Sequence, residues 1–412
     1  MGLNNLEEVL SQNLKKLEEE GRLKGKEYII TKIISARDKK GPRYLLKGKG
    51  EKEFLRMNSN SYLGMSLKEE IIQAEERATR EFGAGPGAVR FISGTFEVHR
   101  QLEKRLAQFH YRDEAMLFSS AYATVIGILT PLITSDTIVI SDELNHNCII
   151  NALRLARPKD KKIYSHLNMS ELEGRIKECI NQAKRLIIIT DGIFSMRGDF
   201  APLDIISALA QEYDQKFPEN IILVVDDSHG IGAFGKTGRG TEEYTGAKGV
   251  DILVGTLGKA LGVNGGYVTS RQTLITYLRE TAPLYIYSNP ISPAEASAAL
   301  KALEILDSEK GQAILEHLHQ MTKKFEQGLI SSGYEIIASD HPIVPLMIRD
   351  TRKTSELVHY LLENGILATG LNYPVVPRGD EEIRFQVNAD HTPSDIDYAL
   401  KVLKDYRTKF QK

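Results

Sequence analysis

The residues around one lysine indicate a catalytic or ligand-binding role. Lys259 follows the apolar run "DILVGT" and lies in "TLGKALGVNGGY", between glycines and small apolar residues. Glycine permits backbone conformations that other residues avoid, and it lets a ligand or another segment approach closely. Because a lysine on an ordinary surface turn needs no such neighbours, the segment indicates a role beyond solubility.

A second cluster of polar residues follows the neighbouring apolar run. "VVDDSH" places Asp226 and Asp227 at the end of "NIILVV", with His229 just beyond. The carboxyl ends of parallel strands meet at one edge of a sheet, where α/β proteins bind ligands, so Lys259 should lie at the same edge. Taken alone, Asp226 could cap a loop and His229 could be structural. Together with Lys259 they fit a cofactor site in which the lysine forms a Schiff base.

The elements that must position these residues alternate along the chain. "RLIIIT", "NIILVVDD" and "DILVGT" are short and β-branched, which is typical of strands buried on both faces of a parallel sheet. "MSELEGRIKECINQAK" and "PLDIISALAQEYDQKF" carry apolar residues at helical spacing. The alternation predicts an α/β fold with a large, doubly wound, mostly parallel sheet.

The same patterns suggest a division into domains. We expect an N-terminal helix and small-sheet segment over 1–58, a large domain over 59–299 and a smaller α/β domain over 300–412. The N-terminal "LEEVLSQNLKKLEEEG" reads as an exposed helix, and we expect it to lie on the smaller domain.

Composition excludes several classes of function. The 412 residues carry a formal net charge of −2, which gives no electrostatic footprint for nucleic acid or a lipid surface. The two cysteines, Cys148 and Cys179, have no CxxC spacing, no metal site is expected, and the charged N-terminus lacks the apolar core of a signal peptide. With no run of membrane-spanning length, we expect a cytoplasmic protein that binds a small molecule.

One motif suggests a different class of function. "GIGAFGKT", Gly230–Thr237, matches both a phosphate-loop pattern and a dinucleotide fingerprint. Both mechanisms need the loop to open a helix, whereas "GRGTEEYTGAKG" follows with repeated glycines and no apolar periodicity. We therefore read the segment as a loop that passes close to other backbone, and nucleotide binding stays an alternative.

Several segments resemble one enzyme family. "TLGKALG", "VDDSH" and "VRFISGTFEVHRQLEKRLAQF" are similar to motifs of the α-oxoamine synthases, fold-type I enzymes that depend on pyridoxal 5'-phosphate (PLP). Within that family, "SDELNHNCIINALRL", "TDGIFSMRGD", "YIYSNPISPA" and "YPVVPRGDEEIRFQVNADHT" resemble the glycine C-acetyltransferase branch. The resemblance covers nearly the whole chain.

The resemblance implies roles for individual residues. Lys259 would bind PLP covalently and act as a base, Asp226 would pair with the ring nitrogen, and His229 would lie near the phenolic oxygen, as the catalytic set. Arg384 would bind the substrate carboxylate, with Asn60 as a weaker candidate. The further cofactor contacts implied are Ala121, Tyr122, His146, Ser195, Asp227, Ser228, Thr256, Ser288 and Asn289.

The activity implied is condensation of glycine with acetyl-CoA to 2-amino-3-oxobutanoate and CoA, reversibly, as in threonine degradation. The family completes each site with the partner chain of a homodimer, so Ser288 and Asn289 would act across the interface. The alternatives are another α-oxoamine synthase that uses a different amino acid or a longer acyl-CoA, or a nucleotide-binding protein built on Gly230–Thr237.

Overall fold

The computed structural model describes residues 2–20, 22–23, 27–373 and 375–410. In chain order the strands are β1 (Ile30–Ile34), β2 (Arg43–Leu46), β3 (Leu55–Arg56), β4 (Glu114–Phe118), β5 (Thr137–Asp142), β6 (Asp160–Tyr164), β7 (Arg185–Asp191), β8 (Ile221–Asp226), β9 (Ile252–Thr256), β10 (Gly266–Ser270), β11 (Ile343–Met347), β12 (Ile366–Leu367), β13 (Thr369–Leu371) and β14 (Glu382–Gln386). The α-helices are α1 (Asn4–Glu19), α2 (Glu69–Phe82), α3 (Glu97–Phe109), α4 (Ala121–Leu132), α5 (Asn147–Ala156), α6 (Met169–Cys179), α7 (Leu203–Tyr213), α8 (Thr241–Thr245), α9 (Gln272–Thr281), α10 (Pro283–Ile286), α11 (Pro293–Leu306), α12 (Glu309–Ser331), α13 (Thr351–Glu363) and α14 (Pro393–Phe410).

These elements form two compact units. The larger unit comprises Asn60–Thr322 and Ser339–Pro342, and the smaller comprises the described parts of Met1–Ser59, Lys323–Ala338 and Ile343–Lys412. The expected boundary at 300 therefore differs from the observed one, since residues 300–322 belong to the larger unit. The reason is that α11 packs against α2 and α3 of that unit, which buries alanines along most of its length.

A seven-stranded sheet organises the larger unit. Its strand order is β4-β10-β9-β8-β7-β5-β6, in which β10 runs antiparallel to both of its neighbours and the other pairs are parallel. The central strands are apolar on both faces, and Leu186–Ile189 of β7 are fully buried. Such strands need helices on both faces, so the predicted mostly parallel α/β fold is confirmed.

The smaller unit contains three short sheets with helices. Strands β11, β14 and β13 form an antiparallel sheet, β1 pairs with β2, and β12 pairs in parallel with β3. Helix α1 forms as predicted, but none of its side chains is buried. The prediction of an exposed helix is therefore confirmed, since the leucines of α1 stay exposed, and close packing of α1 on the smaller domain is not seen among the described residues.

No helix in the described part of the chain is both long and apolar enough to span a bilayer.

Candidate active site

A pocket opens where the central strands of the larger unit end. Its lining residues are Ala121, Tyr122, His146, Cys148, Asp191, Ser195, Asp226, Ser228, His229 and Lys259. Eight of these ten were predicted from the sequence, and Cys148 and Asp191 were not. The pocket thus brings the lysine, the strand-end carboxylate and both predicted histidines together.

Lys259 lies in the turn that joins β9 to β10, and tight backbone packing explains its glycines. Gly262 has a φ of +73°, and a Cβ there would lie 2.5 Å from the backbone nitrogen of Ser66. The turn is closed by a hydrogen bond from Leu257 N to Gly265 O at 3.0 Å and by one from Gly262 N to Lys259 O at 3.0 Å. Glycine therefore lets this turn pack closely against the segment that contains Ser66, and this packing fixes the position of the half-buried Lys259.

Asp226 ends β8 with a buried and well-anchored carboxylate. Its Oδ1 accepts hydrogen bonds from Ser228 N at 3.1 Å and from Ser228 Oγ at 2.5 Å, while Cys148 Sγ lies 3.6 Å from Oδ2. Ser228 therefore anchors the carboxylate by its backbone and its hydroxyl. A fixed buried carboxylate of this kind suits a cationic ring nitrogen, which would offset the cost of burying its charge.

Asp191 is a pocket residue that sequence reasoning missed. It ends β7 and is the register neighbour of Asp226, and its Oδ2 accepts a hydrogen bond from His146 N at 2.8 Å. Burial, with the adjacent Asp226 charge, raises the pKa of Asp191 well above its ordinary value. The signal was available, because "RLIIITD" ends in a carboxylate just as "IILVVD" does.

His146 caps the start of α5 with its own side chain. Its Nδ1 accepts a hydrogen bond from Cys148 N at 3.3 Å, which leaves Nδ1 without a proton. Burial lowers the pKa of His146, an effect that Asp226 opposes and Lys259 reinforces. A neutral, oriented imidazole is the form expected for stacking on a cofactor ring.

His229 is oriented by residues that do not line the pocket. Its Nδ1 lies 2.8 Å from the hydroxyl of the fully buried Tyr62, and that hydroxyl lies 3.3 Å from Asn60 Oδ1. His341 Nε2 donates to the carbonyl oxygen of His229 at 2.9 Å. Asn60, predicted as a ligand for a carboxylate, is thus placed in a chain of hydrogen bonds that ends at His229.

Asp227 has a structural role in place of the predicted cofactor contact. Its Oδ2 accepts from Thr241 N at 2.6 Å and its Oδ1 accepts from Thr241 Oγ1 at 2.7 Å, so it caps the short helix α8. Successive residues of an extended chain point to opposite sides, which explains why Asp226 lines the pocket and Asp227 does not. Burial raises the pKa of Asp227 to about 7.

The nucleotide-binding interpretation of Gly230–Thr237 is contradicted by the same region. The helix that follows has only five residues, and Asp227 already occupies the amide of its first residue. Glu243 accepts hydrogen bonds from Thr237 N at 3.0 Å and from Thr237 Oγ1 at 2.7 Å. A phosphate here would meet two carboxylates, so the motif does not form an anion site.

The start of α4 lies at the pocket, where the sequence predicts contacts to the cofactor phosphate. Ala121 and Tyr122 are its first two residues, and Ser120 Oγ accepts from Ala123 N at 3.1 Å. Gly266 of β10 lies directly beneath, since a Cβ there would be 2.3 Å from Ala121 N. The first turn of a twelve-residue helix therefore presents backbone amides and the positive end of its dipole beside the pocket.

Other predicted residues lie away from this lining. Thr256 ends β9 and uses its hydroxyl within the lysine turn, donating to Gly265 O at 3.2 Å and accepting from Gly258 N at 3.1 Å. Ser288 and Asn289 follow α10 and do not contribute to the described lining of the pocket. Arg384 lies in the middle of β14 in the smaller unit, opposite Pro345 and Thr369.

Known proteins resemble the chain over most of its length. The family model for aminotransferase class I and II matches residues 52–403. The 8-amino-7-oxononanoate synthase 1 of Bacillus velezensis is 40% identical over 90% of this chain and 92% of its own. The mitochondrial 2-amino-3-ketobutyrate coenzyme A ligase of Bos taurus is 41% identical over 83% of this chain and 80% of its own. The chain belongs to the α-oxoamine synthase family.

Solved structures agree with this fold. The serine palmitoyltransferase of Sphingomonas wittichii superposes with a TM-score of 0.88 at 24% identity, over 99% of this synthase and 98% of that chain. The fold-type I architecture is therefore confirmed. PLP, the cofactor of the family, is the cofactor of this synthase, as predicted. The residues present fit it, since the pocket combines a lysine, an anchored carboxylate, a neutral histidine and a helix start.

The comparisons do not separate the branches of the family. Relatives named 8-amino-7-oxononanoate synthase and 2-amino-3-ketobutyrate coenzyme A ligase match this synthase at 40% and 41% identity. The preference for the glycine C-acetyltransferase branch is therefore a proposal, as are the roles of individual residues.

Proposed function

We propose that this synthase transfers an acetyl group from acetyl-CoA to the α-carbon of glycine, releasing CoA and 2-amino-3-oxobutanoate, in a reaction that can run in reverse. The observation that supports the chemistry is the convergence of Lys259 with the anchored carboxylate of Asp226 in one pocket. The choice of glycine and acetyl-CoA rests on the sequence segments that resemble the glycine C-acetyltransferase branch.

Four groups would hold the cofactor. The ε-amine of Lys259 would form the covalent link, Asp226 would pair with the ring nitrogen, His146 would pack on the ring, and the amides of Ala121 and Tyr122 in the first turn of α4 would bind the phosphate. When bound, PLP supplies a conjugated ring that accepts electron density from the substrate α-carbon. Asp226 would favour a proton on the ring nitrogen, because a neighbouring negative charge stabilises the cationic form.

The remaining chemistry is proton transfer by the residues of the chain. The Lys259 amine would take the α-proton of glycine and hold it in the pocket. The α-carbon then attacks the thioester carbonyl, a carbon–carbon bond forms, and the thiolate of CoA leaves. Ser195 and His229 line the same pocket and are candidates to orient the reacting groups.

A substrate panel tests the proposal. Release of CoA thiol would be measured for glycine, alanine and serine, each with acetyl-CoA, a seven-carbon dicarboxylic acyl-CoA and palmitoyl-CoA. We expect glycine with acetyl-CoA to give the highest kcat/KM, and Lys259→Ala to be inactive with every pair. A higher kcat/KM for another pair would refute the assignment of substrates while leaving the reaction class intact.

A second candidate is 8-amino-7-oxononanoate synthesis. It is favoured by relatives of that name that match this synthase at 38 to 41% identity. The structure of that product requires alanine and a seven-carbon dicarboxylic acyl group. The panel contains this pair, so one experiment decides between the two candidates.

We further propose a cytoplasmic homodimer in which Ser288 and Asn289 of one protomer complete the phosphate site of the other. Their absence from the described lining of the pocket within one chain is consistent with this arrangement. Arg384 is proposed to bind the substrate carboxylate through paired hydrogen bonds.

A further inference from the structure

A histidine outside the pocket joins two carboxylates. His166 lies in the loop after β6, and its Nδ1 is 3.0 Å from Asp142 Oδ1 while its Nε2 is 3.3 Å from Asp199 Oδ2. An ionised carboxylate only accepts hydrogen bonds, and only the imidazolium form of histidine has N–H donors at both nitrogens. The geometry therefore describes a cationic bridge between two anions.

The first carboxylate belongs to a strand end that leads into the pocket. Asp142 is the last residue of β5, and its carboxylate also accepts from Leu144 N at 2.9 Å and from Leu167 N at 3.1 Å. His146 follows four residues later at the start of α5. Asp142 is thus a fixed point in the framework that positions the stacking histidine.

The second carboxylate belongs to the loop that carries Ser195. Residues 192–200 fold back on themselves, with hydrogen bonds from Phe194 N to Asp199 O at 2.9 Å and from Ala201 N to Gly192 O at 2.9 Å. The ring of Phe194 packs edge-on against His166, with centroids 4.4 Å apart. His166 thus contacts this loop by a hydrogen bond and by ring packing, immediately beside Ser195.

We propose that His166 is a positioning residue: by bridging Asp142 to Asp199, it holds the 192–200 loop so that Ser195 faces the pocket. This inference rests on the proposed function only where it concerns catalysis. The restraint on the loop follows from the geometry alone.

The charges around His166 favour its cationic form. Asp142 and Asp199 contact the ring nitrogens, Glu143 accepts from the backbone nitrogen of His166 at 2.7 Å, and Arg197 Nε donates to Asp199 Oδ2 at 2.8 Å. Burial lowers the pKa of His166, but the two carboxylate hydrogen bonds outweigh it and raise the pKa to about 9. The bridge should therefore be intact at neutral pH and be lost as the pH rises through about 9.

Hydrogen exchange of the PLP-loaded enzyme tests the restraint without using turnover. In His166→Leu, amides of the 192–201 segment should exchange about tenfold faster than in the wild type, since one charge-assisted hydrogen bond to the loop is lost. His166→Arg keeps the charge and two donors and should restore most of the protection. The matched control is His359→Leu, at an exposed position of α13 in the smaller unit, which should leave the segment unchanged.

Kinetics and pH supply the second readout. With glycine and acetyl-CoA, His166→Leu should lower kcat/KM about tenfold. In the wild type, the protection of the loop amides from hydrogen exchange, corrected for intrinsic exchange, should fall above about pH 9. If His166→Leu does not fold, Asp199→Asn tests the same bridge, because it weakens the loop side and leaves Asp142 in place. Unchanged exchange at 192–201 in a folded variant would overturn the proposal. If exchange at 192–201 is faster in His166→Leu than in the wild type, but the wild type transfers no acyl group, only the proposed function would be overturned.

Discussion

Gly266→Ala should weaken PLP binding without unfolding the protein. A Cβ at Gly266 would lie 2.3 Å from Ala121 N, 2.4 Å from Ser120 C and 2.6 Å from Ala121 Cα. All three are backbone atoms of the α4 start, so no side chain can rotate away to relieve the clash. An ordinary contact begins near 3.4 Å, so α4 and β10 must separate by about 1 Å.

The expected size of the effect follows from that displacement. Overpacking of this kind costs about 1–3 kcal/mol of stability, which a protein with a core of this size should survive. A phosphate held by the amides of Ala121 and Tyr122 would lose good geometry with at least one donor, and a hydrogen bond to a charged group contributes about 1.5–3 kcal/mol. The dissociation constant for PLP should therefore rise roughly tenfold to hundredfold.

The assay is a PLP titration of the apoenzyme, followed by visible absorbance, with thermal unfolding as the check on folding. The matched control is Gly174→Ala in α6, where a Cβ would meet no atom within 4 Å. That change should leave PLP affinity unaltered and stabilise the helix by about 0.5–1 kcal/mol. A folded Gly266→Ala with wild-type affinity for PLP would show that the α4 start does not hold the phosphate.

The other predictions concern the lysine, two carboxylates and the interface. Lys259→Ala should fold normally, because its side chain serves the cofactor, but should lose the covalent cofactor absorbance and turnover; activity close to wild type would mean the site is misplaced. Asp226→Asn should keep the covalent link but lower kcat on the order of a hundredfold, since an amide cannot stabilise a protonated ring nitrogen; an unaltered kcat would contradict the role. Burial raises the pKa of Asp227 to about 7, so the carboxyl group binds its proton more tightly in the folded protein than in the unfolded chain. Its contribution to the free energy of unfolding should therefore fall as the pH rises from about 4 through 7. Denaturant unfolding of Asp227→Asn should lack this pH-dependent contribution, and a pH profile identical to that of the wild type would contradict the prediction. Mixing Lys259→Ala with an impaired Ser288 variant under subunit exchange should restore activity at one site of each heterodimer; no recovery despite proven exchange would argue against shared sites.

The strand ends were predictable and the contacts between distant segments were not. The apolar runs that end in Asp226 and Thr256 are short, β-branched and bounded by polar residues, so their place at one sheet edge follows from the sequence. The hydrogen bond between Tyr62 and His229 joins residues 167 positions apart, and no local sequence pattern predicts such a contact. The exposed face of α1 illustrates the same limit, because helical spacing predicts the helix but does not say what covers it.

Two of the errors had a readable physical cause. The prediction that Asp226 and Asp227 both contact the cofactor neglected the alternation of side chains at the end of a strand, which turns the second carboxylate toward Thr241. Asp191 was overlooked although it ends a neighbouring strand in the same way.

The sheet edge at which these strands end also explains why the pocket suits a cofactor with a cationic ring nitrogen. Asp191 and Asp226 end adjacent strands, and burial beside a second carboxylate raises the pKa of Asp191 well above its ordinary value. Two adjacent buried carboxylates resist ionising together, because the two negative charges would repel each other unless a cation lies between or beside them. Lys259 supplies one positive charge in the same pocket, and it opposes the rise in the pKa of Asp191. A protonated ring nitrogen next to Asp226 would supply a second, so binding of the cofactor should relieve the repulsion that the fold has built into its strand ends.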